Sequence, residues 1–163
     1  MAKGTATDEE ILRHHLVYEF DMLQGTYLEL DKGGHNQVIS NALIEAFCLH
    51  ARLLIEFFNN RQGRQAKEFT GGTYNAAHIN SLGSAKKKLN TQIAHLTGER
   101  TTDDSHKIGP GDRSKLLAAL EREAQNFVFH LTPAFKGMFT LPEPIRVIPT
   151  CPKQTSPSEL ANI

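Results

Sequence analysis

The stretch Asn36–Asn60, NQVISNALIEAFCLHARLLIEFFNN, decides how the chain folds. At about 100° per residue, Ile39, Leu43, Phe47, Leu54 and Phe58 fall on one stripe. Val38, Ala42, Leu49 and Leu53 widen that stripe beyond a surface helix's usual share. The pattern predicts a central helix, touched by neighbours on more than one side. A narrow polar strip remains at Asn41, Glu45, Arg52 and Glu56, and it reads most simply as solvent-facing charge pairing. His50 is the exception, because it lies in the middle of the apolar stripe between Phe47 and Leu54. A histidine there is either a core residue hydrogen-bonded to a polar neighbour or part of a cleft between helices or subunits. In the cleft, proton transfer near neutrality would suit an imidazole.

Three further segments carry helical periodicity around this one. Asp8 to Leu30 places Ile11, His15, Tyr18, Met22 and Thr26 on a stripe flanked by Leu12, Leu16 and Leu23. Thr7 or Asp8 can cap it, and Gly33-Gly34 ends it. Ser81 to Leu96 repeats Leu82, Ala85, Leu89, Ile93 and Leu96 on one side. The stretch RSKLLAALEREAQNFVFHL, capped by Asp112 and stopped by Pro133, forms the last helix around Leu116, Leu117, Leu120, Ala124 and Phe127. Arg61 to Asn80 has glycines, short polar residues and no sustained period, so a long connection is expected there. No strand-like alternation bounded by turn signals is visible. The expected fold is all-α, a bundle of four helices, or up to five, over residues 1–135. Residues 136–163 read as an extended, proline-rich tail.

Composition sets outer bounds. The chain has 163 residues, enough for one hydrophobic core without metal or disulfide support. Eighteen Lys and Arg balance eighteen Asp and Glu, so a nucleic-acid role would need a local basic patch. Cys48 and Cys151 have no metal-ligand spacing, and a reducing compartment suits both. No apolar run in the sequence reads as long enough to span a bilayer, and the N-terminus lacks the basic-then-apolar order of a secretory signal. A cytoplasmic protein is expected.

The usual cofactor signatures are missing. GGTYNAAH has neither the lysine nor the spacing of a phosphate loop, and no paired Glu-x-x-His motif supports a di-iron bundle. No cofactor and no metal are expected. A site built from His15, Glu19 and His50 is the weakest alternative, since one His-Glu pair at i, i+4 is more often surface pairing. KKKLNTQIAHLT, Lys86 to Thr97, is richer. On a helix Lys88 lies about 20° and Thr91 about 40° from His95. Lys88, Thr91, Gln92 and His95 then share a polar ridge beside the core. A histidine beside a cation and amide or hydroxyl donors suits metal-free RNA cleavage: the imidazole moves the proton while the others steady the phosphate charge. The competing reading is a solvated helix face.

The pairing of NALIEAFCLHARLLIEFF with KKLNTQIAHLT resembles a set of short, uncharacterised bacterial helical proteins, and over residues 8 to 131 the architecture is similar to HEPN domains. The resemblance implies a four- to five-helix bundle that handles RNA or nucleotides. Its catalytic pattern, an arginine, a polar residue and a later histidine, would set His95 in the histidine place and Lys88 in that of the arginine. Lysine lacks arginine's forked phosphate grip, and Leu89 stands where the pattern has a polar residue. The implied roles are His95 as acid/base and Lys88 as phosphate contact; Thr91, Gln92, His50 and Arg52 are the further binding candidates that the helix faces offer. The alternative is a non-catalytic module for dimerisation or for binding a protein partner such as an antitoxin or a nucleotidyltransferase. A homodimer is expected in either case, because the second helix and its terminal Phe57 and Phe58 offer more apolar surface than one small bundle needs.

Overall fold

The computed structural model of the chain describes residues 5–59, 63–92, 107–141 and 143–145, with residues 90–92 as backbone. Among them every regular element is helical, and the only β pairing is the isolated bridge between Thr70 and Leu131. Helix α1 (Asp8–Glu10) runs through a π-helical turn (Ile11–His15) into α2 (Leu16–Lys32). Thr7 and Glu10 form a reciprocal capping box at its start, which satisfies two free backbone N–H groups. Gly33 (φ 67) and Gly34 (φ 81) occupy backbone that side-chain-bearing residues avoid, and they reverse the chain into α3 (Gln37–Phe58). Asn36 caps α3 by accepting from the Ile39 amide at 3.0 Å.

Helices α2 and α3 form an antiparallel hairpin, and α6 (Pro110–His130) packs on its inner face. The core joins Leu12, Leu16, Phe20 and Leu23 to Phe47, Ala51, Leu54 and Phe58, and both sets to Leu116, Leu117, Leu120 and Phe127. An aromatic cluster fills the end of the hairpin away from its turn. Phe57 lies 5.2 Å from Phe58 and 5.5 Å from Phe127, ring centre to ring centre. Phe57 and Phe58 therefore supply core packing and not the spare surface expected of them. Their edge-to-face geometry adds to the area they bury.

The connection after Arg61 is more structured than its composition suggests. It holds a 3-10 turn (Ala66–Glu68) and a short helix α4 (Ala77–Asn80), which leads into α5 (Gly83–Gln92). Its organising group is Glu123 of α6, wholly buried, with Oε1 accepting from Tyr74 Oη at 2.9 Å and from Asn126 Nδ2 at 2.7 Å, and Oε2 from the His78 amide at 3.0 Å. A polar loop of this kind folds because a distant helix supplies the acceptor. Local sequence does not reveal such a partner.

Two boundaries also shift. Helix α6 starts at Pro110 with Gly109 as its cap, while Asp112 sits one turn inside and accepts from the Gly109 amide at 3.2 Å. Proline suits the first turn, where its missing N–H costs nothing. Among the described residues beyond Pro133 no helix occurs, yet Phe139 is buried and Leu141 and Ile145 pack on the chain's own core. The buried carboxylate of Glu121 fastens this segment, accepting from the Ile145 amide at 2.9 Å and from Gln24 Nε2 at 2.8 Å.

Helix α3 departs most from expectation. It is packed on one side only: Val38 is 74% exposed, Ile39 46%, Leu49 54% and Leu53 41%. The helix is also long and apolar enough to cross a membrane by length and composition, which the sequence reading did not anticipate. Within it, however, Glu45, Arg52 and Glu56 line the outward side, and Phe47, Ala51 and Leu54 belong to the core.

Candidate functional site

The polar ridge expected on α5 is only partly in view. His95 lies outside the described residues, and Thr91 and Gln92 are placed by their backbone alone at the end of α5. Lys88 is described in full. Its Nζ lies 2.8 Å from Asp112 Oδ2 and donates to the Lys107 carbonyl at 3.2 Å. Both side chains of the ion pair are largely covered, 25% and 17% exposed. Burial by itself would raise the Asp112 pKa, but the Lys88 hydrogen bond, the Gly109 amide and the charges of Lys88 and Lys115 outweigh it and hold the carboxyl below its usual range. Lys88 thus ties α5 to the first turn of α6. Its charge is already matched and its donors are aimed at protein oxygens.

His50 is buried within the hairpin. Its Nδ1 lies 2.7 Å from Glu19 Oε2 on α2, and its ring meets Tyr18 edge-on at 5.8 Å. The carboxylate fixes the imidazole's orientation and satisfies one ring nitrogen inside an otherwise apolar seam. His15, the last residue of the π-helical turn, and Glu19 of α2 line one shallow pocket, but no group of three His, Cys, Asp or Glu residues suited to a metal occurs among the described residues. Arg52 donates to Glu56 at 2.9 Å within its own helix, half-exposed on the outward side, as a solvated i, i+4 pair does. The structure therefore separates the expected binding residues: Lys88 at the α5–α6 contact, His50 between α2 and α3, and Arg52 on the outer face of α3.

Two surfaces stand out, of which the first was not foreseen from the sequence, whereas spare apolar surface on α3 was expected but assigned in part to Phe57 and Phe58. The first is an open groove between α4 and α6, where His78, Ser81, Lys115 and Arg122 surround a floor of Ala118 and Ala119. No carboxylate lines it, and among the described residues neither Lys115 nor Arg122 is in an ion pair. Lys115 and Arg122 are seven residues apart, hence on one face of α6, and that spacing was the available sequence signal. The second surface is the outer face of the hairpin, where Tyr18 of α2 joins Val38, Ile39, Leu49 and Leu53 of α3. On the opposite side of α3, Cys48 is buried, and burial pushes its thiol up to about 12. Burial likewise pulls the nearby Arg113 guanidinium below its usual pKa, against the opposing influence of Cys48, Tyr27 and Asp112.

The fold and these surfaces define an all-α helical bundle. Comparison with protein-family models, with curated proteins and with solved structures finds no match for the chain.

Proposed function

We propose that this chain is a non-catalytic, HEPN-like helical module that works by docking another protein surface on the outer face of its α2–α3 hairpin. The observation that carries the reading is the set of four large apolar side chains on the outward side of α3, Val38, Ile39, Leu49 and Leu53, each at least 41% exposed, with exposed Tyr18 of α2 beside them against His50. Contiguous apolar surface of this kind marks an interaction site more often than scattered exposure does. The matched charge of Lys88 also supports it, because a lysine locked to Asp112 is poorly placed to receive a phosphate. The test is a photo-crosslinking residue at position 49, compared with one at exposed Gln125 on α6. Expected is a discrete protein adduct at position 49 alone. The reading fails if no protein adduct forms, or if purified protein cleaves RNA and His95→Ala abolishes that cleavage.

The groove at Lys115 and Arg122 favours a second reading, in which the module also holds RNA or a nucleotide without cutting it. Two cations over small alanines, with no carboxylate in the groove's lining, suit a phosphate backbone approaching closely. Binding here leaves the hairpin face free, so the two readings are compatible.

A further inference from the structure

We infer that the surface docked on the hairpin is that of a second copy of this chain, with the two α3 helices crossing antiparallel about a two-fold axis between Glu45 and Ala46. This rests on the docking reading above and names its partner. The argument begins with spacing. On the outward side of α3, Val38 and Leu53 are equally far from that midpoint, and so are Ala42 and Leu49. A two-fold axis there lays Val38 of one copy on Leu53 of the other, and Ala42 on Leu49, each contact occurring twice. This is the self-complementarity that an isologous interface requires. A different protein would place no such demand on the spacing.

Size and charge agree with the same register. Ala42 and Ala46 sit beside the crossing point, so the backbones can approach closely and Leu49 has a small residue to pack over. The antiparallel arrangement sets the Asn36-capped N-terminus of one α3 beside the last turns of the other. Glu56 of one copy then lies near the positive end of its partner's helix dipole. The flank of α3 nearer α2 is apolar and continues into Tyr18, whose ring touches His50. The other flank carries Arg52, paired with Glu56 at the wet rim of a protein interface, while Glu45 stands beside the axis itself. A bilayer would have to bury that charged flank, so a lipid surface fits less well. One unfavourable contact follows from the register: the two Glu45 carboxylates lie close across the axis.

The experiment uses the full chain. Light scattering after size exclusion should give twice the 18.1 kDa monomer mass. Leu49→Glu should weaken the dimer at least about tenfold while circular dichroism and thermal midpoint stay at wild-type values, since Leu49 is 54% exposed and outside the buried core. Glu45→Gln should tighten it. The register is read with a short bismaleimide in a Cys151→Ser background. Ala46→Cys should form covalent dimers, and so should a mixture of Val38→Cys with Leu53→Cys. Val38→Cys alone should not, because its two copies stand about 22 Å apart along the helix. A monomer at every concentration overturns the inference, as does a dimer indifferent to Leu49→Glu or one that Ala46→Cys fails to crosslink. A position-49 adduct with a different protein, or Leu49-dependent flotation on anionic vesicles, overturns it too. The first of those two outcomes would leave the docking reading standing.

Discussion

Glu19 Oε2 and His50 Nδ1 lie 2.7 Å apart, joining α2 to α3 inside the hairpin. This contact makes the histidine in the apolar stripe intelligible, because a buried polar group persists where it has a partner. Glu19→Leu leaves the imidazole unsatisfied and should lower stability by about 1–3 kcal/mol, measured by urea denaturation. The double variant Glu19→Leu/His50→Leu should recover much of that loss. If the double variant is no more stable than Glu19→Leu alone, the contact is not what holds the two residues.

The Lys88–Asp112 pair predicts acid sensitivity. Asp112 titrates below its usual pKa in the folded chain, so its contribution to stability is present above about pH 4 and is lost as the pH falls through the lowered folded value. Lys88→Met should therefore lower the thermal midpoint at pH 7 by an amount matching about 1 kcal/mol or less. The wild-type and variant curves should converge near pH 2. A constant gap at all pH values would show that Lys88 acts through packing instead.

Glu123 is the acceptor on which the Tyr74–His78 segment depends. Burial and the adjoining carboxylate both raise the Tyr74 phenol, which keeps it a donor to Glu123 throughout the working pH range. Glu123→Ala strands three buried or half-buried donors and should cost about 3 kcal/mol or more. Hydrogen exchange should quicken first at residues 74–80, with the α2–α3 hairpin protected. Uniform loss of protection would contradict this local role.

Cys48 should be inert in the folded state. With its thiol pushed up to about 12 and its side chain buried, almost no thiolate exists at pH 8 and no reagent reaches it. Peptide mapping after maleimide treatment should find Cys48 unmodified in native protein and fully modified in guanidinium. Rapid native labelling would place the residue at an accessible surface.

Arg122→Glu tests the basic groove. If phosphate binds between α4 and α6, fluorescence anisotropy with a short single-stranded RNA should show weaker binding and a shallower dependence on salt. Leu49→Glu should leave that binding unchanged, since the two surfaces are on different elements.

Much of the fold is written in local pattern. The 3.6-residue repeat of Leu12, Leu16 and Leu23, of Phe47, Leu54 and Phe58, and of Leu116, Leu120 and Phe127 is enough to specify helices with one apolar face each. The capping residues Thr7 and Asn36 and the Gly33-Gly34 turn are equally local, because each satisfies backbone groups within a few residues. His50 could be recognised as buried or paired from its place on the wheel. Its partner could not, since Glu19 lies 31 residues away on another helix.

What the sequence determined by itself, then, is the helices and the apolar face each one presents. Tertiary structure decided which faces meet. Phe57 and Phe58 were as apolar as Val38 and Leu49, but the aromatic cluster around Phe127 covers the first pair and nothing in the chain's described residues covers the second. Lys88 could equally have faced a phosphate until α6 brought Asp112 within 2.8 Å of it. Periodicity records which side of a helix avoids water, whereas the neighbour that excludes the water comes from distant parts of the chain. Only the folded molecule therefore separates core from docking surface and a paired cation from an unpaired one.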